Sequence, residues 1–127
     1  MKIAISSSGD NLQSEVDPRF GRCKNFIIIE ISEMSLAVHQ NSAQFVGHGA
    51  GTKAAQDLLK LGVSAIISGN IGPNAFQVLS AANIRMYTSS GTIENVVEAY
   101  KKGQLIEVTQ PSNAGHMGRG SGRGRRS

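Results

Sequence analysis

The order in which hydrophobic periodicity changes along this chain constrains its fold more than any other feature. Residues 2–7 and 25–31 are short apolar runs rich in isoleucine, and residues 36–40 alternate apolar with polar. Three strands therefore come first, the latter two as a hairpin turning near residues 32–34. The period then lengthens. After a glycine cluster at 47–51, Ala54, Ala55, Leu58, Leu59 and Leu61 follow helical spacing until Gly62 stops them. Residues 63–68 form a further strand, and Pro73 suits the first position of a helix reaching about residue 82. Residues 84–88 are a strand, and Thr92 opens a helix through Lys102, with Glu94 and Glu98 toward its start and Lys101 and Lys102 at its end. A short edge strand at 105–108 could follow. The order β-β-β-α-β-α-β-α predicts an α/β fold: a mixed five-stranded sheet flanked by helices on its faces, for which a ribonuclease H-like arrangement is the simplest match. In such a sheet the loops at the carboxyl ends of the parallel strands gather, so residues 7–9, 69–74 and 88–91 are expected to share one crevice.

A chain of 127 residues suits one core. With no Trp and few other aromatic residues, that core must be built from Ile, Val, Leu and Ala, which fit between helices and a sheet. The net charge of +4 belongs to one end: residues 111–127 hold Arg119, Arg123, Arg125 and Arg126 and no acid, so these four account for all of it. The domain expected at 1–109 is thus electrically balanced. The Gly/Arg-rich cationic tail at 110–127 has almost nothing to bury and is expected to be disordered when free. A single cysteine, Cys23, excludes an intramolecular disulfide and predicts a cytoplasmic address. No apolar run approaches membrane-spanning length, and the N-terminus turns polar after Ile5, too early for a signal peptide, which predicts a soluble protein with no membrane partner.

Three motifs stand out, in this order: Asp17-Pro18-Arg19-Phe20-Gly21-Arg22-Cys23 in a polar loop, Gly49-Ala50-Gly51 leading a helix, and Gly69-Asn70-Ile71-Gly72-Pro73-Asn74-Ala75-Phe76, with Ile84-Arg85-Met86-Tyr87 closing the set. Together they resemble the dinitrogenase iron-molybdenum cofactor family, which includes NifX-like proteins, the C-terminal domain of NifB and the molybdenum-copper orange protein. The resemblance spans roughly the whole expected folded part. It implies a ribonuclease H-like fold used to hold or pass an iron-sulfur or molybdenum/iron-sulfur type cluster, with no catalysis of its own, and a cluster donor or acceptor protein as partner. The arginine-rich tail is similar to that of an archaeal iron-sulfur storage member of this family, whose glycine-rich cationic tail accompanies binding of anionic iron sulfide.

Cys23 as a thiolate is the strongest soft ligand in the chain, and Arg19 and Arg22 beside it are expected to lower its pKa and to stabilise an anionic cluster. One thiol cannot supply the four of an ordinary iron-sulfur centre. A cluster would therefore be shared between chains, held by Cys23 plus another kind of donor, or held by charge and hydrogen bonds. His48, between Gly47 and Gly49, is the candidate second metal ligand. The alternatives are a structural, partly buried cysteine and an exposed loop histidine. The glycine-rich helix entrance with Gly49, Gly51 and Thr52 can aim backbone N–H groups at an anion. A second entrance holds Gly72, and there Asn70 and Asn74 could donate to sulfur or simply serve the turn.

Other chemistries fit less well. Gly51-Thr52-Lys53 is not the Gly-Lys-Ser/Thr of a Walker loop, which argues against nucleotide binding. A nuclease needs converging carboxylates, and the first strand has none between Ile3 and Ser7. RNA binding through the Gly/Arg tail is the competing function, although no aromatic residue is interleaved there for stacking. A protein-interaction module without a cluster is the third.

Overall fold

Strand β1 (Lys2–Ser7) carries Ile3 and Ile5 on one face and Ala4 on the other, and all three are fully buried. A strand buried on both sides needs helices over both faces of its sheet. The computed structural model, which describes residues 1–111, supplies them. β1 is followed by β2 (Asn25–Glu30), β3 (Ser35–Gln40), a 3-10 turn (Ser42–Phe45), α1 (Ala50–Lys60), β4 (Val63–Ser68), α2 (Pro73–Ala81), β5 (Arg85–Thr88), α3 (Ile93–Lys101) and β6 (Ile106–Glu107).

The sheet runs in the order β3-β2-β1-β4-β5-β6. β1 pairs antiparallel with β2 and parallel with β4, β4 pairs parallel with β5, and β6 closes the far edge antiparallel to β5. The expected count of five strands is thereby corrected to six: residues 105–108 do yield an edge strand, two residues long, too brief to show a period. The mixed sheet and the three helices stand as expected.

Side-chain alternation sorts the core into two layers. Ala4, Phe26, Ile28, Ile66 and Met86 face α1 and α2, through Ala54, Ala55, Leu58, Ala75 and Leu79. Ile3, Ile5, Ile27, Ile29, Ala65 and Ile67 face α3, through Ile93, Val96 and Val97. Burial of this much branched aliphatic surface is the main stabilising term, at roughly 25 cal/mol per Å² removed from water. Small residues set the spacing of α1 against α2, since a methyl on Gly51 would already touch the Ala75 methyl at 3.5 Å. The entrances of these two helices therefore lie side by side. Among the described residues no helix is long and apolar enough to cross a membrane. From residue 112 onward the expected cationic tail lies outside the described residues.

Candidate functional site

The loop between β1 and β2 crosses the carboxyl ends of the parallel strands and is pinned there by Asp17. Its N–H donates to the Ser6 carbonyl (2.9 Å), and its own carbonyl accepts from Ser6 Oγ (2.7 Å). Ser6 Oγ also lies 2.8 Å from Ser68 Oγ, so hydroxyls from β1 and β4 hold one loop carbonyl. The Asp17 carboxylate is nearly enclosed and accepts from the Arg19 backbone N–H (2.8 Å), Nε (3.2 Å) and Nη2 (3.1 Å). This pairing raises the pKa of the Arg19 guanidinium above its ordinary value. The guanidinium itself is largely solvent-exposed.

Beyond Asp17 the loop wedges between two backbones. A Cβ on Gly69 would lie 2.5 Å from Pro18 Cα, and one on Gly21 would lie 2.6 Å from the Gly51 nitrogen, so neither contact tolerates a side chain. Pro18 thus sits on Gly69, and Gly21 sits on the entrance of α1. Between them opens a cleft of about 590 Å³, walled by Arg19, Phe20, Gly21 and Arg22 of the loop, Gly49, Ala50 and Gly51 at the start of α1, Asn70 and Gly72 of the turn after β4, and Pro73, Asn74 and Ala75 of α2. The expected single crevice is corrected here. Residues 7–9 and 88–91 do not line this cleft, because Pro18 partitions the strand ends; Thr88, Ser89 and Ser90 face a separate depression beyond it.

Both helix entrances on the cleft are open. α1 begins at Gly49, in the left-handed region at φ 75°, and α2 at Gly72 followed by Pro73. Neither has a side-chain cap or an acid in its first turn, so the free N–H groups and the positive end of each dipole are left for an outside partner. Arg22 reaches the same space and donates to the carbonyls of Gln44 and Gly47, each at 3.2 Å, and of Val46. No Asp or Glu lines the cleft.

Of the residues expected at the site, Arg19, Arg22, Gly49, Gly51, Asn70, Gly72 and Asn74 are brought together, whereas Cys23, His48 and Thr52 do not line the cleft. Cys23 is fully buried among Ala4, Phe20, Phe26 and Ala43. Its Sγ lies 3.5 Å from the Phe20 carbonyl and 3.7 Å from Asn41 Nδ2, with the Ser7 backbone also in reach. Burial pushes its pKa up to about 12, which reverses the expected lowering. Desolvation is the main cause and the nearby Asp17 carboxylate adds to it, while Arg19 is turned to Asp17 and Arg22 to backbone carbonyls. His48 is exposed, so a thiolate and imidazole facing each other across the cleft is not the arrangement found.

Two residues that matter here are absent from the site residues expected from sequence. Asp17 heads the first motif but its buried pinning role had no sequence signal, and Asn41, fully buried, donates to the carbonyls of Gly21 (3.1 Å) and Cys23 (2.9 Å). A buried Asn or Asp with backbone partners is found by its tertiary neighbours, not by spacing.

Comparison with known proteins agrees with this architecture. The model of the dinitrogenase iron-molybdenum cofactor family matches residues 1–103, and the chain belongs to that family. An uncharacterized protein of Methanocaldococcus jannaschii is 35% identical over 109 residues, covering 83% of this chain and 89% of that one. The apo form of the orange protein from Desulfovibrio gigas superposes with a TM-score of 0.84 at 35% identity, covering 88% of this chain and 96% of that one. A Thermotoga protein classed with NifB and the DUF35 family gives 0.79 at 36% identity, covering 90% and 98%.

Proposed function

We propose that this chain, a ribonuclease H-like domain at 1–109 with a cationic tail, is a non-catalytic carrier or store of a preassembled iron-sulfur or molybdenum/iron-sulfur type cluster. The observation that carries this reading is the convergence of two open helix entrances and two guanidinium groups on one cleft without a carboxylate. Membership of an iron-molybdenum cofactor family supports it. Donors of this kind suit the sulfide surface of a finished anionic cluster. A bare metal ion would instead need lone-pair ligands, and among the described residues no group of three or more His, Cys, Asp or Glu could hold one.

Size and charge narrow the cargo. An open cleft of about 590 Å³ has room for a polyatomic cluster rather than a single ion. Arg19 is largely offset by Asp17, Arg22 adds one positive charge and each helix entrance adds about half, so an anion carrying about two negative charges is the best match. In this reading Arg19, Arg22, Asn70, Asn74 and the amides of Gly51 and Ala75 hold the cargo. Cys23 would ligate only if the loop opened, and His48, exposed outside the cleft, only if it turned inward. A cluster donor or acceptor protein is the implied partner, and the cytoplasm the implied compartment.

Anaerobic isolation followed by metal and sulfide analysis tests the proposal. Coloured protein holding metal and sulfide in fixed ratio is expected, and protein that stays colourless after reconstitution with iron, sulfide or tetrathiomolybdate overturns it. Deleting residues 115–127 should slow uptake without abolishing it, whereas unchanged uptake with loss of copurifying RNA would assign the tail to nucleic acid.

A further inference from the structure

The cleft's second guanidinium is committed to the protein's own backbone. Arg22 Nη1 donates to the Gln44 carbonyl at 3.2 Å and to that of Val46, and Nη2 donates to the Gly47 carbonyl at 3.2 Å. All three acceptors lie on the stretch that runs from the 3-10 turn into Gly49, the first residue of the α1 entrance. The stretch's own ties are short-range: the Gln44 and Val46 N–H groups donate to the Asn41 (3.3 Å) and Ala43 (3.2 Å) carbonyls, and Val46 packs against the core. Phe45 is 75% exposed, and Gly47, His48 and Gly49 are exposed as well. Just upstream Asn41 Nδ2 bonds the Gly21 and Cys23 carbonyls, and Gln44 Nε2 bonds the Lys24 (3.2 Å) and Asn41 (3.0 Å) carbonyls, so Arg22 is the tie that reaches furthest toward Gly49.

We infer that Arg22 is a positioning residue: its planar fork fixes residues 44–47, and through them the Gly49–Gly51 amides, at the cleft, a role that positive charge alone does not fill. A guanidinium offers five N–H donors in one plane, of which three are engaged here, leaving two for a cargo anion. A lysine would keep the charge, but one nitrogen cannot occupy the positions of both Nη1 and Nη2. The same group therefore joins cargo to the α1 entrance, and an occupied cleft should protect the amides of residues 44–47 from exchange. The binding half of this inference rests on the cluster-carrier reading; the positioning half stands on the hydrogen bonds alone.

The experiment compares wild type, Arg22→Lys and Arg22→Ala by amide hydrogen exchange and by titration with tetrathiomolybdate at low and high salt. In the absence of any anion, Arg22→Lys should exchange roughly tenfold faster over residues 44–52, the size expected when a few weak hydrogen bonds are lost. It should bind the probe roughly tenfold more weakly with an unchanged salt dependence, since the charge is retained. In Arg22→Ala, added ethylguanidinium should restore exchange protection and binding, and ethylammonium should restore neither. Wild-type exchange and affinity in Arg22→Lys, or equal rescue by ethylammonium, overturns the inference. A wild-type protein that ignores tetrathiomolybdate would count against the cargo reading, while the exchange comparison still decides the role of Arg22.

Discussion

The two faces of the sheet treat their helix entrances in opposite ways. On one face α3 is closed: Thr92 Oγ1 accepts from the Asn95 N–H at 3.3 Å, and Glu94 sits in the first turn. The N–H groups of Ile93 and Glu94 donate to the carbonyls of Ser14 and Leu12, both at 2.9 Å. On the other face α1 and α2 start at glycines, and among the described residues no loop carbonyl or side chain does the same for their first-turn amides. A helix start that meets its own hydrogen-bonding needs asks for no ligand, while one that leaves them unmet beside two arginines has the chemistry to receive an anion. The chain makes caps where it needs them. On the proposed carrier reading, their omission at two neighbouring entrances is what fits the cleft to an anionic cargo.

Converting an open entrance into a closed one should have the largest effect. Gly72 has an extended backbone at φ −74°, ψ 174°, and a Cβ there meets nothing within 4 Å, so Gly72→Asp is sterically free to cap Asn74 or Ala75. Stability should change by only a few tenths of a kcal/mol, upward. Affinity for tetrathiomolybdate should fall roughly ten- to hundredfold, from about 1–3 kcal/mol of like-charge repulsion near the cleft. Titration and thermal melts on one preparation check both, and undiminished binding would detach the cargo from the α2 entrance. Gly21→Ala comes next. Its methyl would press on the Gly51 nitrogen at 2.6 Å and the Ala50 carbonyl carbon at 2.9 Å, both backbone, so the loop must move away from α1. A loss of about 1–3 kcal/mol in stability and a weaker cleft are expected in denaturant titrations and binding assays.

The legibility of this architecture in sequence followed how local each feature is. β1 and β4 were placed to the residue because their apolar runs are bounded by polar turns, and the starts of α2 and α3 were visible in Pro73 and Thr92. The cleft was half visible for the same reason, as glycine-rich helix entrances and an arginine pair are short-range patterns. The enclosure of Cys23 was not, because a thiol in a run of Gly and Arg reads as exposed, and its fate is decided by Asn41, 18 residues on, and by the core cluster it joins with residues from distant elements. The Pro18 partition escaped notice too. It depends on Gly69 meeting Pro18 across 51 positions of sequence, which no local signal records.

On the closed face the expected consequences for binding shrink to nothing. Thr92→Ala should cost about 1 kcal/mol of stability through its lost cap and leave cargo affinity unaltered, since no residue of α3 lines the cleft. Weaker binding in that variant would mean the two faces are coupled.

Cys23→Ala should likewise leave affinity within about threefold of wild type, the scatter expected for a site with no direct contact to the probe. A large loss would restore the thiol as a ligand. The residue should show itself instead in alkaline stability. Unfolded, the thiol ionises near its ordinary value of 9.0, whereas in the fold burial holds it protonated to about 12. Between these values the unfolded chain binds fewer protons than the folded one, so stability is unaffected below pH 9 and falls as pH rises, by up to about 1.4 kcal/mol per unit from this group. Tyr100, whose pKa burial also raises, adds to the decline in the same direction. Denaturant titrations of wild type and Cys23→Ala from pH 8 to 10.5 isolate the thiol's share: the variant should lose stability less steeply above pH 9. Parallel curves would mean that the thiol is already open to solvent and that the sulfur and the cleft are one site after all.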